Sequence, residues 1–229
     1  MTNGTTSTGP EQTERRVIER ARWAEVSFLI SLCIYAVMAV FAREYRYFSW
    51  DIGLDQAIQS ISIPGFRPLM VIVSIFGSGW VPFALVIGAC VALILWRLRL
   101  ESVICMVEAA AGAGMNVLVK FLVGRPRPVE PLVNVTTRVT RESFPSGHVV
   151  FFVEFFGFLL FLTYVLSRPG AFRRATYAVL GALVLLVGVS RVYLGAHWPS
   201  DVVGAYFAGG VWLMLTIEIY RRLKWRGSD

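Results

Sequence analysis

Pro145–Leu166 reads PSGHVVFFVEFFGFLLFLTYVL. Its first four residues, Pro145-Ser146-Gly147-His148, are small, polar or titratable. The run that follows, Val149–Leu166, holds a single Asp, Glu, Lys or Arg, Glu154. A helix crossing the hydrocarbon core of a bilayer takes about 20 predominantly apolar residues. The stretch is therefore read as a membrane span with a polar mouth at its N-terminal end. The same arrangement recurs on either side. Lys120 and Arg127-Pro128 follow one apolar run, Ser190-Arg191 stands near the end of another, and His197 and Asp201 precede a third. The chain has two histidines, His148 and His197, and both sit at such ends.

Composition agrees. Of 229 residues 56% are hydrophobic and 16% charged, and the mean hydropathy is +0.62. Soluble domains carry about a quarter charged residues, so the chain is read as an integral membrane protein and the bilayer as its partner. The net charge of +7 raises nucleic acid as a ligand. No basic stripe with interleaved aromatics lies on a polar segment, so nucleic acid is not expected. Cys33, Cys90 and Cys105 fall in apolar runs and are read as buried small hydrophobes, not a disulfide or metal set.

The expected architecture is all-α: six transmembrane helices, with an amphipathic interfacial helix between spans 1 and 2. Residues 1–22 read as a disordered, then basic, tail; 23–220 as the six-span domain; 221–229 as a second basic tail. Around Asp51, the residues Trp50, Leu54, Ala57, Ile58 and Ile61 recur at helical spacing opposite Asp51, Asp55 and Gln59. That pattern suits a helix lying in the interface, or one packed on its neighbours. Leu69–Trp96 carries no charge but is interrupted by Gly77-Ser78-Gly79 and Pro82. It is either one kinked span or a short segment preceding a shorter span, leaving five or seven crossings open. In the next span Gly112 and Gly114 allow close helix approach.

With six spans, both termini and the turns at Arg97 and at Arg168–Arg174 share one side. Those segments hold 13 of the 22 Lys and Arg residues. The positive-inside rule puts both termini in the cytoplasm and Lys120, His148, Arg191 and His197 at the opposite, extracytoplasmic face.

The spacing Lys120-x6-Arg127-Pro128, then Pro145-Ser146-Gly147-His148, then Ser190-Arg191-x5-His197-x3-Asp201, resembles the three-part signature of the type 2 phosphatidic acid phosphatase superfamily. The resemblance covers about 80 residues and the six-span layout, and no signature position departs from the pattern. It implies a lipid phosphatase without cofactor. Lys120, Arg127, Ser146, Gly147 and Arg191 would bind phosphate. His197 would attack phosphorus to form a phosphohistidine, Asp201 would orient it, and His148 would protonate the leaving alkoxide.

The residue chemistry points the same way. A phosphate monoester held away from water needs fixed cations and N–H donors, and Arg suits bidentate contact with its oxygens. Ser146 and Gly147 open a helix whose N-terminus favours an anion. No additional carboxylate or Cys set suggests a metal. Asn116, one turn below Lys120, is expected to support that side chain, with Pro128 and Ser190 as further supports. Glu154 is read either as a support or substrate-channel group or as a hydrogen-bonded structural acid. Arg125, Arg138 and Arg141 either steer anionic substrate or face water. Tyr193 and Trp198 flank His197, where they fit an interfacial aromatic belt.

The expected substrate is a lipid phosphate of the phosphatidic acid or phosphatidylglycerol phosphate type, and the alternative is a polyprenyl diphosphate. A phosphotransferase and a non-catalytic lipid-phosphate binder are the competing classes. The sequence leaves the oligomeric state open.

Overall fold

The computed structural model describes residues 10–136 and 141–226. All regular structure among them is helical: α1 (Pro10–Glu44), α2 (Asp51–Gln59), α3 (Phe66–Ile75), α4 (Val81–Leu95), α5 (Arg99–Val123), α6 (Gly147–Phe151), a π-helical stretch (Phe152–Phe156), α7 (Gly157–Leu166), α8 (Ala171–Tyr193) and α9 (Pro199–Arg226). α6, the π stretch and α7 form one rod, Gly147–Leu166. Residues 1–9 of the expected tail lie outside the described residues. From Pro10 onward that tail is already helical.

Among the described residues five helices are long and apolar enough to cross a membrane: Arg22–Glu44, Arg99–Val123, Gly147–Leu166, Ala171–Tyr193 and Pro199–Lys224. The stretch Leu69–Trp96 is split into two shorter helices, α3 and α4. Gly79 takes a left-handed φ of 57° between them, and Pro82 sits in the first turn of α4, where a missing N–H costs nothing.

The core is built around the phenylalanines of the central rod. Phe152 and Phe158 are fully buried, Phe151 stacks on Phe155 at 5.2 Å, and Phe152 meets Phe156 edge-on at 4.9 Å. Facing outward are Leu29, Ile30, Val40, Val103, Phe121 and Leu185, all exposed. An apolar exterior around a packed apolar core suits a surface solvated by lipid.

Two expectations about individual residues are corrected, and the facing of α2 is settled. Gly112 meets Glu154 closely, whereas Gly114 faces open space and serves no helix contact. Cys33 is exposed, while Cys90 and Cys105 are buried. In α2 it is the acidic side that points inward: Asp51 and Asp55 are fully buried, and Trp50 and Leu54 are exposed. The reason is a set of buried donors, from Arg125 and Ser200, that the Asp51 carboxylate accepts.

Candidate active site

The three motifs meet at one end of the bundle through backbone contacts. Lys120 Nζ donates to the carbonyls of Glu142 and Ser143 at 2.7 and 3.1 Å. The Ser146 amide donates to the Asp201 carbonyl at 3.3 Å. Arg127 donates from Nε to the Arg141 carbonyl at 2.6 Å and from Nη1 to that of Ala196, also at 2.6 Å. Gly124, with φ 66°, ends α5 and turns the chain back over the site.

His197 sits in the short loop before α9 and is 2% exposed. Its two ring nitrogens have different neighbours. Nε2 lies 3.1 Å from Arg127 Nη1, a group that can only donate. Nε2 must therefore present its lone pair, and the proton sits on Nδ1. Nδ1 is 3.4 Å from Ser143 Oγ and 3.7 Å from Asp201 Oδ2. The Ser143 hydroxyl in turn donates a short hydrogen bond to Asp201 Oδ2. Ser143 thus stands between the imidazole and the acid expected to orient it directly. Burial, then repulsion by Arg127, Lys120, Arg191 and His148, holds the His197 pKa well below the usual imidazole range. That list is itself geometric: residues from all three motifs act on one ring.

His148 is held from below. Its Nε2 is 2.9 Å from Ser78 Oγ, whose hydroxyl donates to the Ser74 carbonyl at 2.8 Å. A Cβ at Gly77 would lie 2.4 Å from His148 Cδ2, so only glycine leaves room for the ring. The turn that breaks Leu69–Trp96 is thus the seat of His148. Arg191 donates to Ser74 Oγ at 2.5 Å, and Ser190 donates to the Met70 carbonyl at 2.6 Å, so α3 also positions the end of α8. Ser146 precedes the first turn of α6 without capping it. Its Oγ, like Arg191 Nε, is buried with no partner among the described residues.

Beneath the site runs a buried charge chain. Arg125, 1% exposed, donates to Asp201 Oδ1 at 2.5 Å, to Asp51 Oδ2 at 3.0 Å and to Ser200 Oγ at 2.8 Å. Asp51 accepts from the Ser200 amide at 2.8 Å and its hydroxyl at 2.7 Å. Asp201 also accepts from the Trp198 amide at 3.0 Å. Arg125 therefore neither faces water nor meets substrate; it is committed to two carboxylates. Asp55, one turn from Asp51, has neither oxygen partnered among the described residues. Burial and the charges of Asp51 and Asp201 push its pKa up to about 8.

Several expected supports stand elsewhere. Asn116 makes no bond to Lys120, and its amide nitrogen is buried without a partner among the described residues. Trp198 is fully buried, donating to the Pro126 carbonyl at 3.1 Å, and so belongs to no interfacial belt. Tyr193 packs edge-on against Phe66 at 5.0 Å. Pro128 is buried. Arg141 is exposed, and Arg138 lies outside the described residues. Asp51, Ser74, Ser78, Ser143 and Ser200 carry no motif that marks them as site residues in the sequence. Ser143, two residues before Pro145, and Ser200, next to Asp201, stand beside motif residues, but neither is marked by the motif spacing.

The fold and site define an all-helical integral membrane protein with a buried, cation-lined imidazole at one end. Residues 100–225 match the model of the PAP2 superfamily, and the chain belongs to that family. It is 27% identical over 180 residues to "Phosphatidylglycerophosphatase B" of Bacillus subtilis, covering 77% of this chain and 86% of that one. To "Undecaprenyl-diphosphatase" of Sulfolobus acidocaldarius it is 24% identical over 201 residues, covering 84% and 90%. The fold is similar to the crystal structure of a transmembrane PAP2 type phosphatidylglycerolphosphate phosphatase from Bacillus subtilis. That match has a TM-score of 0.74 at 20% identity, over 86% of this chain and 96% of the other.

Proposed function

We propose that this protein is a membrane lipid phosphate phosphatase, cleaving a phosphomonoester of the phosphatidic acid or phosphatidylglycerol phosphate kind through a phosphohistidine on His197. The observation that carries the reading is the state of His197. It is a neutral imidazole with the Nε2 lone pair facing Arg127 and Nδ1–H directed at Ser143 and Asp201. A nucleophilic imidazole needs that tautomer and a group to stabilise the charge it gains.

Nε2 attacks phosphorus, an N–P bond forms, and the P–O bond to the lipid breaks. The leaving alkoxide takes a proton from His148, a step typically worth 10²–10⁴-fold. His148 then accepts a proton from water, whose oxygen displaces His197 and releases phosphate. Lys120, Arg127 and Arg191, with the Ser146 hydroxyl and the start of α6 at Gly147, neutralise the phosphoryl oxygens. Arg127 moves its hydrogen bond from Nε2 to one of those oxygens as attack begins. Ser143 relays the charge of the phosphoimidazolium to Asp201.

Six crossings, formed by the five long helices and α4, would put both termini in the cytoplasm and this site outside. α3 then enters only partway, and α2 lies at the interface with its acids turned inward. A polyprenyl diphosphate substrate is the second reading, favoured by the similarity to "Undecaprenyl-diphosphatase" over 84% of the chain.

The test is a phosphate-release panel in mixed micelles over glycerolipid, sphingoid and polyprenyl phosphates, with EDTA present. Release should persist in EDTA and vanish in His197→Ala. Full turnover by His197→Ala removes the proposed nucleophile.

A further inference from the structure

A cavity of about 230 Å³ lies between α1, α5, the central rod and α9. Its walls include Leu32, Met115, Val150, Val211 and Leu215, and Pro145 closes the end nearest the site. This largely apolar space is also lined by Asn116 and Glu154, together with Tyr35 and Trp212, whose indole N–H is donated to the Glu108 carbonyl. The Asn116 amide nitrogen is buried and unpartnered among the described residues. Glu154 is 3% exposed and makes no hydrogen bond among them. Buried polar groups without partners are rare in proteins, and two lining one cavity point to a ligand that supplies the missing contacts.

The cavity abuts the phosphate cradle at Pro145, the residue before Ser146. A Cβ on Gly147 would lie 3.1 Å from Asn116 Oδ1, so the amide rests against the first residue of α6. Asn116 sits one turn below Lys120, about 6 Å along the axis, and Glu154 roughly 10 Å below Gly147. Glu154 falls inside the π-helical stretch, and such interruptions of an α-helix often mark functional sites. Its carboxyl presses on α5 where Gly112 stands: a Cβ there would be 2.1 Å from Oε2. Counted from the end at Pro145, the lining offers the Asn116 amide first and the Glu154 carboxyl next, between mostly apolar walls. A glycerolipid phosphate has that order, with ester carbonyls a few bonds from phosphorus and then a long chain. A polyprenyl phosphate offers no acceptor between its phosphate and its hydrocarbon.

Resting on the phosphatase reading above, we propose that this cavity takes the glycerol ester region and one acyl chain of the substrate. The Asn116 amide donates to an ester carbonyl and selects glycerolipid over polyprenyl phosphates, and Glu154 is the second polar group that the ester region meets.

The experiment compares kcat/KM for dioleoyl phosphatidic acid and its diether analogue, using the full-length protein in mixed micelles. The two lipids differ only in the carbonyls. The wild-type protein should prefer the diester about tenfold, the factor one net hydrogen bond carries. In Asn116→Leu the ratio should fall toward one, and because both lipids are measured on one preparation the folded fraction cancels. A wild-type ratio of one overturns the proposal whatever the variant does, and so does an undiminished ratio in Asn116→Leu. Absence of phosphate release from every lipid phosphate, polyprenyl included, overturns the phosphatase reading as well, and is distinguishable from either.

Discussion

Replacing Arg125 with methionine tests the charge chain under the site most severely. The guanidinium is fully buried between Asp51 and Asp201, whose side chains are equally inaccessible. Removing one partner of a buried ion pair typically costs 3–5 kcal/mol, because the other charge is left uncompensated. Here two carboxylates would be stranded, so at least about 4 kcal/mol is expected. For a chain of this size about 1 kcal/mol moves Tm by 2–4 °C, which places the drop at roughly 8–16 °C in detergent micelles. Asp51→Asn alone leaves Arg125 paired with Asp201 and should cost less, on the order of 1–3 kcal/mol, the worth of hydrogen bonds to a charged group. The double variant Arg125→Met with Asp51→Asn strands only one charge, so its Tm should lie well above the sum of the two single losses. The assay is a double-mutant cycle on thermal unfolding. Strictly additive losses, or an Arg125→Met protein as stable as the wild type, would refute the reasoning.

Other consequences follow from the same geometry. Ser143→Ala removes the relay between His197 and Asp201 while leaving both in place; phosphate release should fall about tenfold with Tm nearly unchanged, and Asp201→Asn should lower it further. Asp55 keeps its proton to about pH 8 when folded, whereas the unfolded chain loses it near the ordinary carboxyl value of 3.8. Between those values the folded protein binds more protons, so stability falls as pH rises through the window. Thermal melts of Asp55→Asn should lose that dependence and gain over wild type at pH 8.5, with the difference shrinking as pH falls toward the ordinary carboxyl value of 3.8. In a cysteine-free background, a cysteine at exposed Glu130, in the segment between α5 and α6, should react with an impermeant thiol reagent in intact cells. Reaction only after permeabilisation would reverse the proposed orientation.

Much of the molecule is legible in the sequence because hydrophobic length and motif spacing are local properties. Val149–Leu166 announces a span, and Lys120, Arg127, His148, Arg191 and His197 mark helix ends by charge alone. α2 is legible as a helix, but its facing is not. Periodicity reports amphipathicity without saying which side is buried, and Asp51 turns inward because Arg125 and Ser200 need acceptors 74 and 149 residues away in sequence. Ser78 and Gly77 read as helix breakers because their partner, His148, lies 70 residues downstream of Ser78. Ser143 is hidden for a related reason: a hydroxyl interposed between two motif residues leaves no periodic trace.

The covalent step is the centre of the account. Brief incubation with a lipid phosphate carrying radioactive phosphorus, an acid-free quench and peptide mapping would show whether label becomes attached to the protein and where. Label that is lost in acid, survives base and maps to His197, with none retained by His197→Ala, is the predicted result. Label that persists in His197→Ala, or maps to any other side chain, would contradict it.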